Sequence, residues 1–409
     1  MEKTIRLLKY AIMVIAMAAL GGGASYYLYQ RSHGASAPNT TSGSVQTLLT
    51  TSVSGGPLPS SVTVSTSTSS QQNPPHAQKR LWRASLGPVA GFAFTASNVA
   101  STTNLYFVER ASGNVFDADT ANETILRITN TLVPKTYEAL FSQNPGIVLL
   151  RTIDSDTITT LLGVFATPES TSTFPGALSG PLLPNNIRSI AIDATLKNPK
   201  IFYTVTSGNK TEGVLSTLRG ANPKQVFIST IGSWRSFLAG GTPIILESPS
   251  DGIPGYAYAV SQSGSRSLLI GPVLGLQILP NSTNSALLFS GSDGGQVSLY
   301  AKIGTGQPIK LPLSTIAEKC AWAPGKTLIA YCAVPQTIPS SGFLDDWYRG
   351  VYHSNDVWWQ VNIKDGTTEV LYTPTIPFDV HDPLVDPSGN YLAFTNGNDL
   401  SLWVLRIVQ

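Results

Sequence analysis

From about residue 80 to the C-terminus, the sequence consists of short runs of β-branched and aromatic residues separated by Gly, Asn, Asp and Pro. Runs of about four to eight such residues between turn-forming residues are typical of consecutive β-strands. No long segment of this region has the regular spacing of apolar residues that an amphipathic helix needs. The pattern therefore predicts an all-β domain over residues 80–409.

The clearest predicted hairpins join residues 104–107 to 115–117, residues 187–192 to 200–205, and residues 287–290 to 297–301. The same up-and-down pattern recurs near the C-terminus, where residues 386–394 read DPSGNYLAF and residues 399–405 read DLSLWVL. These two segments resemble the repeat of TolB-type and WD40-like β-propellers. In those families a Pro-Asp-Gly type of turn joins the first two strands of a blade, and an Asp-x-x-Leu-Trp type of third strand follows. The resemblance implies the fold and no particular activity.

A second resemblance covers most of the same region. It rests on residues 126–141, which read LRITNTLVPKTYEALF, on CAW at 320–322 with YCAVP at 331–335, and on DDWYRG at 345–350. Together they resemble an uncharacterised group of membrane-anchored propeller proteins from candidate-phyla bacteria. This resemblance implies location and architecture, not an activity.

The length of the region supports a closed ring of blades. Divided into seven repeats, residues 80–409 give about 47 residues per repeat, between the WD40 period of about 40–45 and the kelch period of about 50. We predict seven blades, with six or eight as alternatives. Residues 81–84 form an extra strand before the first blade, and residues 402–408 form the last strand. Because a propeller leaves no long edge unpaired, we expect the N-terminal strand to complete the C-terminal blade.

The N-terminal part of the chain predicts a membrane anchor. Residues 10–29 are an uncharged, largely apolar stretch of the length that crosses a bilayer as a helix. Lys3, Arg6 and Lys9 precede it and Arg31 closely follows it. The positive-inside rule then places residues 1–9 in the cytoplasm and the domain outside the cell membrane. A cleaved signal peptide ending near residues 22–24 is the alternative.

Between the predicted anchor and the domain lies a segment of unusual composition. Residues 32–78 contain no Asp, Glu, Lys or Arg and are mostly Ser, Thr, Gly, Pro and small apolar residues. Such a segment buries too little apolar surface to offset the entropy lost on ordering. We predict a disordered Ser/Thr-rich stalk over residues 30–79.

The chain has only two cysteines, Cys320 and Cys332, on consecutive predicted strands. In the simplest register, with Ala323 opposite Thr327, they are diagonal neighbours about 7–8 Å apart, too far for a disulfide unless a bulge intervenes. Export would place the domain in an oxidising compartment, which favours a disulfide between the two cysteines. The sequence leaves open a disulfide or two buried thiols, and it predicts no catalytic role for either.

Residues 335–359 form the segment most relevant to function, because they are rich in aromatic and charged residues between two predicted strands. Long loops of this kind are usually functional when they are not disordered. As candidate binding residues we single out eight side chains. They are Asp345, Asp346, Trp347, Tyr348, Arg349, Tyr352, His353 and Asp356. Either they form a recognition loop for a glycan or protein, or Trp347 and Tyr348 pack down as a lid while residues 358–359 begin the next strand.

Composition excludes some functions and favours others. The net charge is only +2 and there is no block of Lys and Arg, so nucleic acid is not expected as a partner. Four histidines and two cysteines are few for metal chemistry, and we expect neither a metal nor another cofactor. The sequence favours a non-enzymatic binding or scaffold module for an envelope protein or polysaccharide. The alternatives are a propeller-type hydrolase or lyase acting on an envelope glycan, with Asp345, Asp346 and Asp356 lining its pocket, and a sensor or partner of a secretion or pilus machine.

Overall fold

The computed structural model describes residues 79–96, 103–142, 146–167, 175–193, 199–325 and 328–408. The predicted cytoplasmic segment 1–9, the transmembrane helix 10–29 and all but the last residue of the predicted stalk 30–79 lie outside the described residues and stay predictions. Among the helices in the described ranges, none is long and apolar enough to cross a membrane.

The described residues form seven antiparallel sheets, and each sheet is one blade of a propeller. In chain order the strands are β1 (Leu81–Arg83), β2 (Val89–Ala96), β3 (Thr103–Glu109), β4 (Val115–Asp119), β5 (Thr124–Arg127), β6 (Thr136–Phe141), β7 (Ile147–Asp154), β8 (Thr157–Val164), β9 (Ile187–Asp193), β10 (Lys200–Ser207), β11 (Lys210–Thr217), β12 (Lys224–Ser229), β13 (Trp234–Ala239), β14 (Thr242–Glu247), β15 (Pro254–Val260), β16 (Arg266–Leu274), β17 (Gln277–Pro280), β18 (Ala286–Asp293), β19 (Gln296–Ile303), β20 (Ile309–Lys310), β21 (Cys320–Trp322), β22 (Ile329–Pro335), β23 (Asp356–Asn362), β24 (Thr368–Tyr372), β25 (Val380–Val385), β26 (Tyr391–Asn396) and β27 (Ser401–Arg406). The predicted seven-bladed, all-β propeller is confirmed.

The blades follow one another along the chain. Blade 1 holds β2–β5, blade 2 holds β6–β8, blade 3 holds β9–β12, blade 4 holds β13–β16, blade 5 holds β17–β20, blade 6 holds β21–β24, and blade 7 holds β25–β27 with β1. In blade 2 the place of a fourth strand is taken by an irregular segment, which bridges β8 at Ser179 and Leu182. The three predicted hairpins are the pairs β3–β4, β9–β10 and β18–β19, and all three are confirmed.

The ring closes with the N-terminal strand. β1 pairs with β27, with Leu81 opposite Leu405 and Arg83 opposite Trp403. Ser85 extends the closure, because its hydroxyl accepts a hydrogen bond of 2.8 Å from the amide of Leu402. The prediction that the first strand completes the last blade is therefore confirmed.

The second strand of each blade is buried on both faces, whereas the outer strands are exposed. In β10 the residues Ile201, Phe202 and Tyr203 are all buried, and in β5 every residue is exposed. A short continuous apolar run is the sequence pattern that a strand covered on both faces requires. The apolar residues of adjacent blades pack against each other, as Leu288 of blade 5 does with the side of blade 6 that carries Cys332.

The two cysteines form a disulfide, and the predicted register of their hairpin is wrong. Cys320 lies directly opposite Cys332, with Cα atoms 4.0 Å apart. The amide of Ala323 donates to the carbonyl of Ile329, so the turn is two residues longer than predicted. This lengthening moves the cysteines from diagonal to directly facing positions, and no bulge is needed.

Candidate functional site

The first strands of neighbouring blades contact one another and therefore line the central channel. We define the upper rim as the rim at which the first strand of each blade begins. Because neighbouring strands are antiparallel, the upper rim also carries the connections between blades and the loops between second and third strands. The loop between β22 and β23, residues 336–355, lies on this rim and is called the insertion below.

The insertion contains the only α-helix among the described residues, α1 (Phe343–Tyr348). Phe343, Leu344 and Trp347 are buried against Val297 of blade 5 and Ile316, which precedes blade 6. At its start, α1 is tied to blade 4, because the Asp251 carboxylate accepts a hydrogen bond of 2.9 Å from the Leu344 amide. The helix thus lies over the channel mouth on the side of blades 4 to 7.

A buried cation supports the insertion from below. Lys319 is fully buried, and its Nζ atom donates to Asp356 Oδ2 at 2.8 Å and to Asp379 Oδ1 at 2.7 Å. The Ser354 hydroxyl and the Val380 carbonyl also accept hydrogen bonds from it, each at 2.9 Å. A buried ammonium is tolerated only when it is paired and hydrogen-bonded in this way.

Asp379 connects the insertion to blade 7. Its Oδ1 atom accepts hydrogen bonds of 2.8 Å from Trp347 Nε1 and from the Ser354 hydroxyl. Its Oδ2 atom lies 3.0 Å from His353 Nδ1 and 3.2 Å from His381 Nε2. A carboxylate can only accept hydrogen bonds, so these two ring nitrogens carry the protons. Burial acts to raise the pKa of Asp379, but the hydrogen bond from His381 and the charge of Lys319 outweigh it and hold that pKa far below its ordinary value.

Trp347 and Tyr348 both pack down onto the blades. The Trp347 side chain is only 4% exposed and stacks on His381 with ring centroids 4.3 Å apart. The Tyr348 ring is partly exposed, but its hydroxyl enters a polar group formed by three blades. It donates to Glu318 at 2.8 Å and accepts from Arg235 at 2.7 Å and from Gln277 at 2.5 Å. Burial raises the pKa of Tyr348 in spite of the nearby Arg235 guanidinium.

The other predicted binding residues do not face one common site but contact separate partners. Asp345 accepts hydrogen bonds from the Ser250 hydroxyl and the Asp251 amide. Asp346 pairs with the exposed Arg349.

The Tyr352 hydroxyl donates to the Thr337 carbonyl at 2.7 Å, so this hydrogen bond joins two parts of the insertion. Asp356 begins β23 and is fully buried beneath Lys319. The three acidic residues proposed to line a catalytic pocket, Asp345, Asp346 and Asp356, therefore point to different partners and do not converge.

The side of the mouth over blades 1 to 3 is not covered by α1. Glu138 of blade 2 lies there and pairs with Arg151, which is almost fully buried and also donates to the Ile187 carbonyl at 2.5 Å. Surrounding protein atoms raise the pKa of Glu138, and Arg151 partly opposes that shift. Arg188, near the start of β9, is exposed. These residues were missed in the sequence, where the only signal is a charged residue near the start of several first strands.

No protein-family model and no curated protein matches this sequence. Among solved structures, the propeller is similar to the β-propeller domain of the trilobed protease from Pyrococcus furiosus, with a TM-score of 0.50 and 11% identity over 79% of this chain and 98% of that chain. TolB from Acinetobacter baumannii is similar with a TM-score of 0.41 and 10% identity over 78% and 64% of the two chains. An oligogalacturonate lyase from Vibrio parahaemolyticus has a TM-score of 0.47 and 9% identity over 79% and 98%. The resemblance to β-propeller proteins is confirmed, and identities this low show the fold alone.

Proposed function

We propose that this chain is a membrane-tethered, exported propeller that acts as a non-enzymatic binding or scaffold module in the cell envelope. The observation that carries the proposal is the half-covered mouth. The insertion is fixed over blades 4 to 7, whereas Glu138 and Arg188 remain accessible on the other side. Binding sites in propellers need a concave surface with a few convergent polar groups, and the uncovered side of this mouth offers one.

Two features support export. Lys3, Arg6 and Lys9 precede the apolar run, and the Cys320–Cys332 disulfide suits an oxidising compartment. Protease added to intact cells should remove the propeller from its anchor. If the domain resists protease until the cells are lysed, the proposed topology is wrong.

The binding role can be tested in cells with a photo-crosslinking residue. Ser233, just before β13 of blade 4, is exposed and lines the same cavity as Glu138 and Arg188, whereas Thr124 is exposed on the outer strand of blade 1. A partner held at the mouth should form crosslinks from position 233 and none from position 124. Crosslinks from position 124 alone, or from neither position, would contradict binding at the mouth.

A hydrolase or lyase acting on an envelope glycan is the second candidate. Its support is that Glu138 and His381 line the same cavity, with a raised pKa for Glu138 and with His381 held by Asp379. A protonatable carboxyl and an oriented imidazole are groups that general acid-base catalysis uses. Purified protein incubated with envelope glycan should then release new sugar ends, and Glu138→Gln should abolish the release. Absence of product would reject this candidate.

A further inference from the structure

Two cavities adjoin on the uncovered side of the mouth, and Glu138 lines both. The first, of about 650 Å³, lies between blades 2, 3 and 4 and is called the cationic cavity. It is lined by Arg151, Arg188, Arg235, Trp234 and Ser236, among others. The second, of about 530 Å³, lies between blades 1, 2, 3 and 7 and is called the apolar cavity. It is lined by Phe92, Phe141, Ile192 and Leu384, among others. Both volumes fall in the range of ligand sites, about 300–1,000 Å³.

The three arginines of the cationic cavity differ in how their charge is used. Arg151 pairs with Glu138, and Arg235 pairs with Glu318. Arg188 is exposed, and its guanidinium has no hydrogen-bond or ion-pair partner within the described ranges. The cavity therefore offers one guanidinium that can receive an anionic group without losing an existing ion pair.

The available guanidinium decides which ligand group the cavity favours. The Arg188 guanidinium carries only hydrogen-bond donors, so it favours a group that only accepts, and a carboxylate is such a group.

We propose that the two cavities together bind an extended peptide segment, with its carboxylate against Arg188 in the cationic cavity and an adjacent apolar side chain in the apolar cavity. This inference rests on the proposed binding function and names its ligand class. Arginine pairs with carboxylates through two parallel hydrogen bonds, which fixes the orientation of the bound group. An acidic polysaccharide could supply the carboxylate but has no apolar side chain for the second cavity.

The experiment measures retention of peptide pools by the full-length chain in detergent, read out by mass spectrometry. The first pool contains N-acetylated hexapeptides with Leu, Val or Phe at the fifth position and a free C-terminal carboxylate. The second is the same pool with its C-terminus amidated. The third is also amidated at its C-terminus but carries Glu at the sixth position. A fourth sample is an oligogalacturonate of similar length. We expect at least tenfold stronger retention of the first or third pool than of the second.

Variants locate the site. Arg188→Ala should weaken retention about ten- to a hundredfold, the effect of losing a hydrogen bond to a charged group. Arg127→Ala removes an equal charge from the exposed outer strand of blade 1 and should leave retention unchanged. The first and third pools distinguish a C-terminal carboxylate from an acidic side chain.

Several results would overturn the inference: equal retention of amidated and free pools, retention of no peptide, or full retention by Arg188→Ala. Retention of oligogalacturonate alone would replace the peptide by an acidic polysaccharide. If crosslinks form from position 233 but no peptide is retained, the ligand class is wrong and the binding function stands. If neither occurs, the proposed function fails as well.

Discussion

Lys319 is the residue on which the arrangement under the insertion depends most. Its ammonium group is the cation between Asp356 and Asp379, and all three side chains are buried. It also lies 5.0 Å from the centroid of the Trp347 ring, where a cation interacts favourably with the π-system. One side chain thus holds together blade 6, blade 7 and the insertion.

Replacing this lysine should therefore be strongly destabilising. Lys319→Met keeps most of the side-chain volume but leaves two carboxylates buried without their cation, so we expect the free energy of unfolding to fall by about 3–5 kcal/mol. Arg349→Met is the matched control, because it breaks only an exposed pair and should change the value by less than about 1 kcal/mol. Urea denaturation measures both variants. Equal midpoints for Lys319→Met and the wild type would contradict the role assigned to this cation.

The lowered pKa of Asp379 predicts how the stability of the fold depends on pH. Its pKa in the folded state lies far below the value of about 3.9 expected in an unfolded chain. As the pH falls through about 4, the unfolded chain takes up a proton that the folded state does not, so the contribution of Asp379 is complete above that pH and is lost below it. The stability advantage of the wild type over Asp379→Asn should therefore shrink as the pH falls from 5 toward 3. Urea midpoints at each pH test this, and an advantage that grows from pH 5 toward pH 3 would refute it.

At the scale of single elements, α1 is short and owes its position to contacts with the blades. Trp347 supplies the largest of these contacts, because its indole is buried and hydrogen-bonded to Asp379. We expect Trp347→Ala to lower the free energy of unfolding by about 3–5 kcal/mol, as truncation of a large buried aromatic does. Val351→Ala, in the same insertion but 70% exposed, should have little effect. An unchanged denaturant midpoint for Trp347→Ala would favour a recognition loop over a lid.

Several strands could be predicted from the sequence, because a strand in a propeller blade is defined by its own apolar run and by the turn that follows it. The turn at residues 386–390 shows this well: the Asp386 carboxylate accepts hydrogen bonds from the amides of Ser388 and Tyr391. The register of the cysteine hairpin could not be predicted, since it depends on a turn two residues longer than the shortest one.

The candidate site was less predictable than the strands. Asp356 looked like a loop carboxylate, but its partner Lys319 is 37 residues away and only the fold brings them together. Glu138, Arg188 and Arg235 come from three different blades, and weak similarity between repeats hides their equivalent positions. Residues whose role arises from contacts between blades carry no local signal.

At the scale of the whole molecule, the ring depends on a strand of three residues. Deleting the chain through Ser85 removes β1 and leaves β27 as an unpaired edge, so the melting temperature should fall. Deleting it only through Gln78 should leave the melting temperature unchanged, because no strand of the ring is lost. Thermal unfolding of the two truncated proteins makes the comparison. Equal midpoints would show that closure by β1 contributes nothing to stability.

The pairing of β1 with β27 also sets the order in which the domain can mature. The hydrogen bond between Ser85 and Leu402 joins residues 317 positions apart. β1 is therefore synthesised long before β27, the strand with which it pairs. Until the final blade has been synthesised and delivered, β1 has no partner and the seam between the ends of the chain stays open. Such late, long-range pairing slows folding and prolongs the exposure of unpaired strand edges, which are prone to aggregate. If the domain is exported as proposed, the interval between its arrival outside and the closing of this seam is when chaperones and proteases can act on it.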